Sequence, residues 1–133
     1  METWKKVFER KIPQEKYTML LQNGEEKGLV VNLFSATYNV IINFGAISAV
    51  RMIDEGVVLN GLFNDEQIDC FYDEGFENTI YQIEEGEFDI FVKGISGGLS
   101  DHLKLKHYIV ISMNYVVEII TEAEPDIYVS TVG

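Results

Sequence analysis

Tyr38-Asn39-Val40-Ile41-Ile42-Asn43-Phe44 is the stretch that decides the fold class. With a period of two, Tyr38, Val40, Ile42 and Phe44 share one side of an extended chain and Asn39, Ile41 and Asn43 the other. A strand therefore buries the first set fully and leaves the second partly wet. Upstream, Tyr17 to Leu21 and Leu29 to Phe34 are further apolar runs. They flank Asn23-Gly24 and Gly28, whose tolerance of positive φ suits a hairpin connection. Downstream, Gly45 punctuates the chain, and Ala46 to Ile53 reads as another strand with Arg51 on the face of Ile47, Ala49 and Ile53. Residues 108–113 and 115–121 are β-branched and aromatic runs around Asn114, and Pro125 precedes a last short strand near Ile127 to Val129.

Two segments break this pattern with helical spacing. Asn64 followed by Gln67 has the form of a capping box, Ile68, Phe71 and Tyr72 recur three and four apart, and Gly75 suits a helix end, which predicts a helix over 64–74. Phe88, Phe91, Val92 and Ile95 repeat the stripe before Gly97 and Gly98, which predicts a second helix over 86–95. The expected architecture is α+β, with about seven mainly antiparallel strands and two short helices. A chain of 133 residues, read as 1–133 without linker or repeat, suits a single domain. The expected core is Tyr38, Val40, Ile42, Phe44, Ile109, Ile111, Val117 and Ile119 from the strands, with Phe71, Phe88 and Phe91 from the helices.

Charge is the most uneven feature. Ten basic residues against 22 acidic ones give a net charge of −12, which makes nucleic acid a poor partner because phosphates are repelled. From Met52 to Val92 there are twelve carboxylates and no Lys or Arg, whereas the two flanks nearly balance. Asp65, Glu66, Asp69 and Asp73 fall three and four apart, on the side of the 64–74 helix away from its apolar stripe. With Glu74 and Glu77 they form the candidate docking surface for a basic protein, interleaved with aromatic residues of the kind that anchor interfaces. The plainer reading of the same residues is a solvated helix face with acids favourably placed at its N-terminus.

Catalytic and metal patterns are weak by comparison. His102 and His107 are five apart, which suits no metal pair on a helix or strand, and Cys70 is the lone cysteine, so no zinc set, internal disulfide or activated thiolate is expected. Gly94-x-x-Gly97-Gly98 lacks the Lys-Ser/Thr of a phosphate loop, the aspartates at 65, 69 and 73 lack the alternation of a calcium loop, and no nucleophile elbow surrounds Ser48. Catalytic, cofactor-binding and metal residues are accordingly expected to be none. Arg51 is the only base between Lys27 and Lys93. It can pair with Asp54 or Glu55 across a turn at Gly56, or with Glu118 on another strand. No apolar run reaches membrane-spanning length and the N-terminus lacks a signal-peptide core, so the expected setting is the cytoplasm.

Phe44-Gly45, Arg51, Asp54-Glu55-Gly56, His107-Tyr108, Glu118 and Glu124-Pro125, set in a small acidic chain, resemble in type the immunity proteins of bacterial polymorphic toxin systems. The resemblance implies an inhibitor that neutralises a toxin domain, often a nuclease, by covering its basic surface. It implies no fold and transfers no individual residue, because those families differ in both. The expectation is thus a non-catalytic acidic binding protein with a basic protein partner. The alternatives are a homo-oligomeric structural module and a small enzyme using Asp54 or Glu55 beside Arg51.

Overall fold

A computed structural model describes residues 3–24, 28–54, 78–84, 87–95 and 105–132. The described chain is mainly β and antiparallel. It contains β1 (Thr3–Lys6), β2 (Thr18–Gly24), β3 (Gly28–Phe34), β4 (Tyr38–Gly45), β5 (Ala49–Asp54), β6 (Ile80–Glu84), helix α1 (Glu87–Ile95), β7 (Lys106–Ile111), β8 (Tyr115–Thr121) and β9 (Asp126–Thr131). Sheet A has the order β1-β6-β7-β8-β5 and sheet B the order β2-β3-β4-β9.

The deciding stretch forms β4, which lies between β3 and β9, and its alternation holds: Val40, Ile42 and Phe44 are buried while Ile41 is exposed. Gly24 pairs with Gly28 to close the β2–β3 hairpin. At this same end of β3, on the side that pairs with β4, a register shift falls between Leu29 and Val30. There Gly28 has a φ of 70° and a Cβ on it would overlap the Gly45 carbonyl, so this crossing requires glycine.

The inner faces of both sheets feed one buried cluster, including Met19, Leu33, Val40 and Ile42 from sheet B and Ile80, Tyr108, Val117 and Ile119 from sheet A. Phe44 meets Tyr108 across it, with ring centroids 5.8 Å apart. Sheet A is also buried on its outer face at β7 and β8. Tyr81, Ile83, Ile109, Ile111 and Val116 form a second cluster, and Phe88 and Val92 of α1 pack on Ile120 in a third. That two-sided burial is why 108–111 and 116–120 are almost continuously apolar.

Among the described residues nine strands appear where the sequence suggests seven, because β1 and β6 are strands as well. Both are short. Trp4 is the one large apolar side chain of β1, and it packs on Tyr81 of β6 at 5.5 Å, so β1 is held by a partner distant in sequence and not by a pattern of its own. β5 starts at Ala49 and not Ala46. The second expected helix is present as α1, but Phe91 is not in the core. It is 58% exposed, with Ile90 and Ile95 also exposed, because so short a helix meets the sheet along a single i, i+4 line, Phe88 and Val92. Tyr38 is half-buried against the core and the other expected strand residues are buried. The helix expected over 64–74, with Phe71, lies outside the described residues.

Candidate functional site

β5 and β8 are paired so that Arg51 lies directly opposite Glu118, and Ile109 of β7 is Glu118's neighbour on the other side. His107, two residues before Ile109, shares that face one step along the strand. These three side chains meet on the outer face of sheet A. Glu118 accepts hydrogen bonds at Oε2 from Arg51 Nε, at 2.8 Å, and from Arg51 Nη2, while its Oε1 lies 2.9 Å from His107 Nε2. Helix α1 lays Phe88 over the group. The Arg51 guanidinium carbon is 4.8 Å from the ring centroid, and His107 meets the same ring edge-on at 5.9 Å.

Burial gives this arrangement its energetics. Glu118 and His107 are almost fully enclosed, and about a third of the Arg51 side chain reaches solvent. Burial by itself pushes the Glu118 pKa up, but the hydrogen bonds from His107 and Arg51 and their charges outweigh it and hold the carboxyl below its usual range. Glu118 is therefore an ionised acceptor. An ionised carboxylate has no proton to give, so His107 Nε2 must carry the hydrogen between them. In the neutral ring Nδ1 is then an acceptor, and among the described residues this buried atom has no hydrogen-bond partner. A carboxylate orienting an imidazole is the geometry of a catalytic dyad, but here the second nitrogen is enclosed.

Arg51 thus takes the Glu118 option. Asp54 sits three residues on, on the other face of β5, exposed and opposite Tyr115, so it does not share a site with Arg51. Glu55 lies outside the described residues, as do the docking candidates Asp65, Glu66, Asp69, Asp73, Glu74 and Glu77, and also Cys70 and His102. The five-residue spacing to His102 did not single out His107, which joins the group as a structural partner of Glu118. The signal for it was the turn at Met113 and Asn114: counting back from that turn pairs residue 109 with 118 and residue 107 with 120.

A second polar feature lies on the N-terminal side. Lys6, Glu9, Arg10, Ile12, Pro13, Gln14 and Asn78 line a shallow cavity of about 300 Å³. Asn78 braces it by donating from Nδ2 to the carbonyls of Val7 and Ile80, at 3.0 and 2.9 Å. Phe8 and Arg10 adopt positive φ within this turn. Among the described residues, no cluster of three side chains could hold a metal ion, and no helix is long and apolar enough to cross a membrane.

No family model, curated protein or solved structure matches the chain.

Proposed function

We propose that the chain is a non-catalytic acidic binding protein, of immunity or inhibitor type, that docks on a basic protein in the cytoplasm through the segment between β5 and β6. The observation that carries this reading is where that segment is tethered. β5 ends at Asp54 opposite Tyr115, and β6 begins at Ile80 opposite Val110. Both points lie at the same end of sheet A, separated by β8 and β7, or roughly 14 Å at the usual strand spacing. The run from Glu55 to Glu77, which joins these two points, carries seven carboxylates and no base, a concentration of like charge along the chain. Such a concentration steers a cationic surface. The cluster around Glu118 supports a binding role in another way: Arg51 and His107 occupy both carboxylate oxygens, and the group spends its chemistry on holding β5, β7 and β8 together.

The experiment is association kinetics with a basic protein isolated from the source organism by retention at low salt and release at high salt. Replacing Asp65, Glu66, Asp69 and Asp73 together by Asn or Gln is expected to slow association strongly at low ionic strength and to change dissociation little, because exposed charges act mainly on the on-rate. An unchanged on-rate removes these residues from the interface.

A further inference from the structure

The two sheets have four edges, and three carry a device that blocks further strand pairing. β1 presents Lys5 and Lys6, and β5 presents Arg51 and Asp54. β2 has no charge, but the turn after β7 covers its edge. Asn114 accepts from the Met19 amide at 2.8 Å and donates to the Met19 carbonyl at 3.1 Å, while the Met113 amide donates to the Tyr17 carbonyl at 2.7 Å. β9 has none of these. From Ile127 to Thr131 it holds no charge and no proline, its pairing with β4 runs without a register shift, and among the described residues nothing pairs with its other side. Natural sheets protect an edge of this kind or use it.

We infer that β9 is a self-association edge, pairing antiparallel with β9 of a second copy of this chain and joining two four-stranded sheets into one of eight strands. The backbone sets the register. The Val132 amide donates to the Thr37 carbonyl, so Ser130, Tyr128 and Asp126 also direct their backbone groups toward β4, and Ile127, Val129 and Thr131 direct theirs outward. A two-fold axis at Val129 places Val129 against its own copy and Ile127 against Thr131, and all three outward residues then exchange hydrogen bonds, about six in total.

Charge selects a second copy over the basic partner proposed above. Asp126 is the sole charge of β9, and in this register it falls opposite Val132 and not opposite itself. The sheet face that would run across the junction offers each copy Ile41, Tyr128, Asn39 and Asn43. None of these is charged, and each amide is both donor and acceptor, so it can pair with its own kind. A cationic surface finds only Asp126, at the end of the strand, to neutralise. Two chains of charge −12 can approach closely only over a zone as sparsely charged as this one. One strand pair is small beside the roughly 1,600 Å² of a standard interface, so the dimer depends on concentration.

This inference does not rest on the acidic docking reading, and the two respond oppositely to salt. Screening weakens capture of a cation but strengthens association of two anionic chains. Sedimentation of the purified chain over rising concentration is expected to show the mass doubling, with a lower midpoint at high salt. Hydrogen exchange should slow with concentration at the amides of Ile127, Val129 and Thr131, and not at Tyr128 or Ser130. Val129→Pro removes one outward donor without touching the β4 ladder. Val129→Glu keeps every backbone group and sets like charges face to face. Both should stay single chains where the parent is dimeric. A parent that remains one chain at every concentration and salt overturns the inference. So does a dimer that both variants form as readily as the parent, or concentration-dependent protection confined to other strands.

Discussion

The two sheets share an inner core and treat their outer faces in opposite ways. On sheet A the outer face is closed: His107, Ile109, Ile111, Val116, Glu118 and Ile120 are buried, and the polar members had to find partners within the protein. On sheet B the outer face is open: Leu20, Ile41 and Tyr128 are 51, 42 and 58% exposed, and its polar residues are mostly amides that water can satisfy. The contrast shows what a carboxylate costs in each setting. Glu118 needs two donors from two neighbouring strands because no water reaches it, whereas Asp126 on the open face needs none.

Breaking that contrast should give its largest effect at Glu118. Glu118→Ala leaves Arg51 and His107 without their shared acceptor, and a loss of about 3 to 5 kcal/mol is expected, toward the lower end because Arg51 can turn part of its guanidinium to water. Replacing the pair together, Arg51→Met with Glu118→Leu, should recover part of it, since the apolar pair has no desolvation cost while the buried His107 Nε2 still lacks an acceptor. Urea melts with unchanged slope are the measurement. A double variant as unstable as the single one would mean that the charges contribute something packing cannot replace.

Adjacent residues of β4 sharpen the comparison from the other side. Ile42→Ala removes a fully buried side chain and should cost about 2 to 5 kcal/mol, whereas Ile41→Ala, one residue away on the open face, should stay within about 0.5 kcal/mol. Phe91→Ala belongs with Ile41 despite its large ring, because α1 leaves it exposed. Equal losses at Ile41 and Ile42 would mean that the open face is covered in solution, as a second copy extending over the face of sheet B would cover it.

The β4 alternation, the β2–β3 hairpin and the β7–β8 pairing were legible because each is local: a period of two, a glycine-flanked turn, and two apolar runs around Asn114. Sheet membership was not. β6 sits between β1 and β7 through pairings that span most of the chain, and nothing in Ile80-Tyr81-Gln82-Ile83-Glu84 names either neighbour. The charged cluster was half legible. A lone acid among Val116, Val117, Ile119 and Ile120 demands a cation, and Arg51 was the nearest candidate by scarcity. Choosing Glu118 over Asp54 needed the β5–β8 register, which no local pattern carries. Phe91 fell on the apolar stripe, but how many residues of a stripe are buried depends on what lies beneath the helix.

The pH profile should separate the closed face from the shared core. The Glu118 pKa is lower folded than its ordinary value of 4.5, so its contribution to stability is complete above that value and is lost as the pH falls through the folded pKa. The alkaline limb belongs to Tyr17 and Tyr108, both between the sheets and both raised by burial from 10.0 to about 12. An unfolded tyrosine gives up its proton first, so stability is full below pH 10 and falls as the pH rises toward 12. Tyr108→Phe should flatten part of the alkaline loss and leave the acid limb unchanged; Glu118→Gln should do the reverse. Melting temperature against pH for the two variants is the check, and a variant that moves the other's limb would couple regions that the structure keeps on opposite sides of sheet A.

The smallest effect on stability, and the one that tests the edges directly, is expected at Asn114. Its side-chain amide occupies the backbone donor and acceptor of Met19, standing where another strand would otherwise pair. Asn114→Ala removes both bonds, and because Met19 sits at a sheet edge where water can replace them, the loss should be about 1 to 2 kcal/mol. The consequence for association should be larger than that for folding. With Asn114 gone, β2 becomes a second uncharged edge without proline or register shift, comparable to β9, and the variant should form species beyond the dimer. Combining Asn114→Ala with Val129→Pro closes one edge and opens the other. If unprotected edges drive association, that double variant should still self-associate, with hydrogen-exchange protection moved from the amides of β9 to those of Met19 and Leu21. A double variant that remains a single chain at every concentration would mean that an open edge alone does not suffice, and that β9 relies on the neutral face beside it.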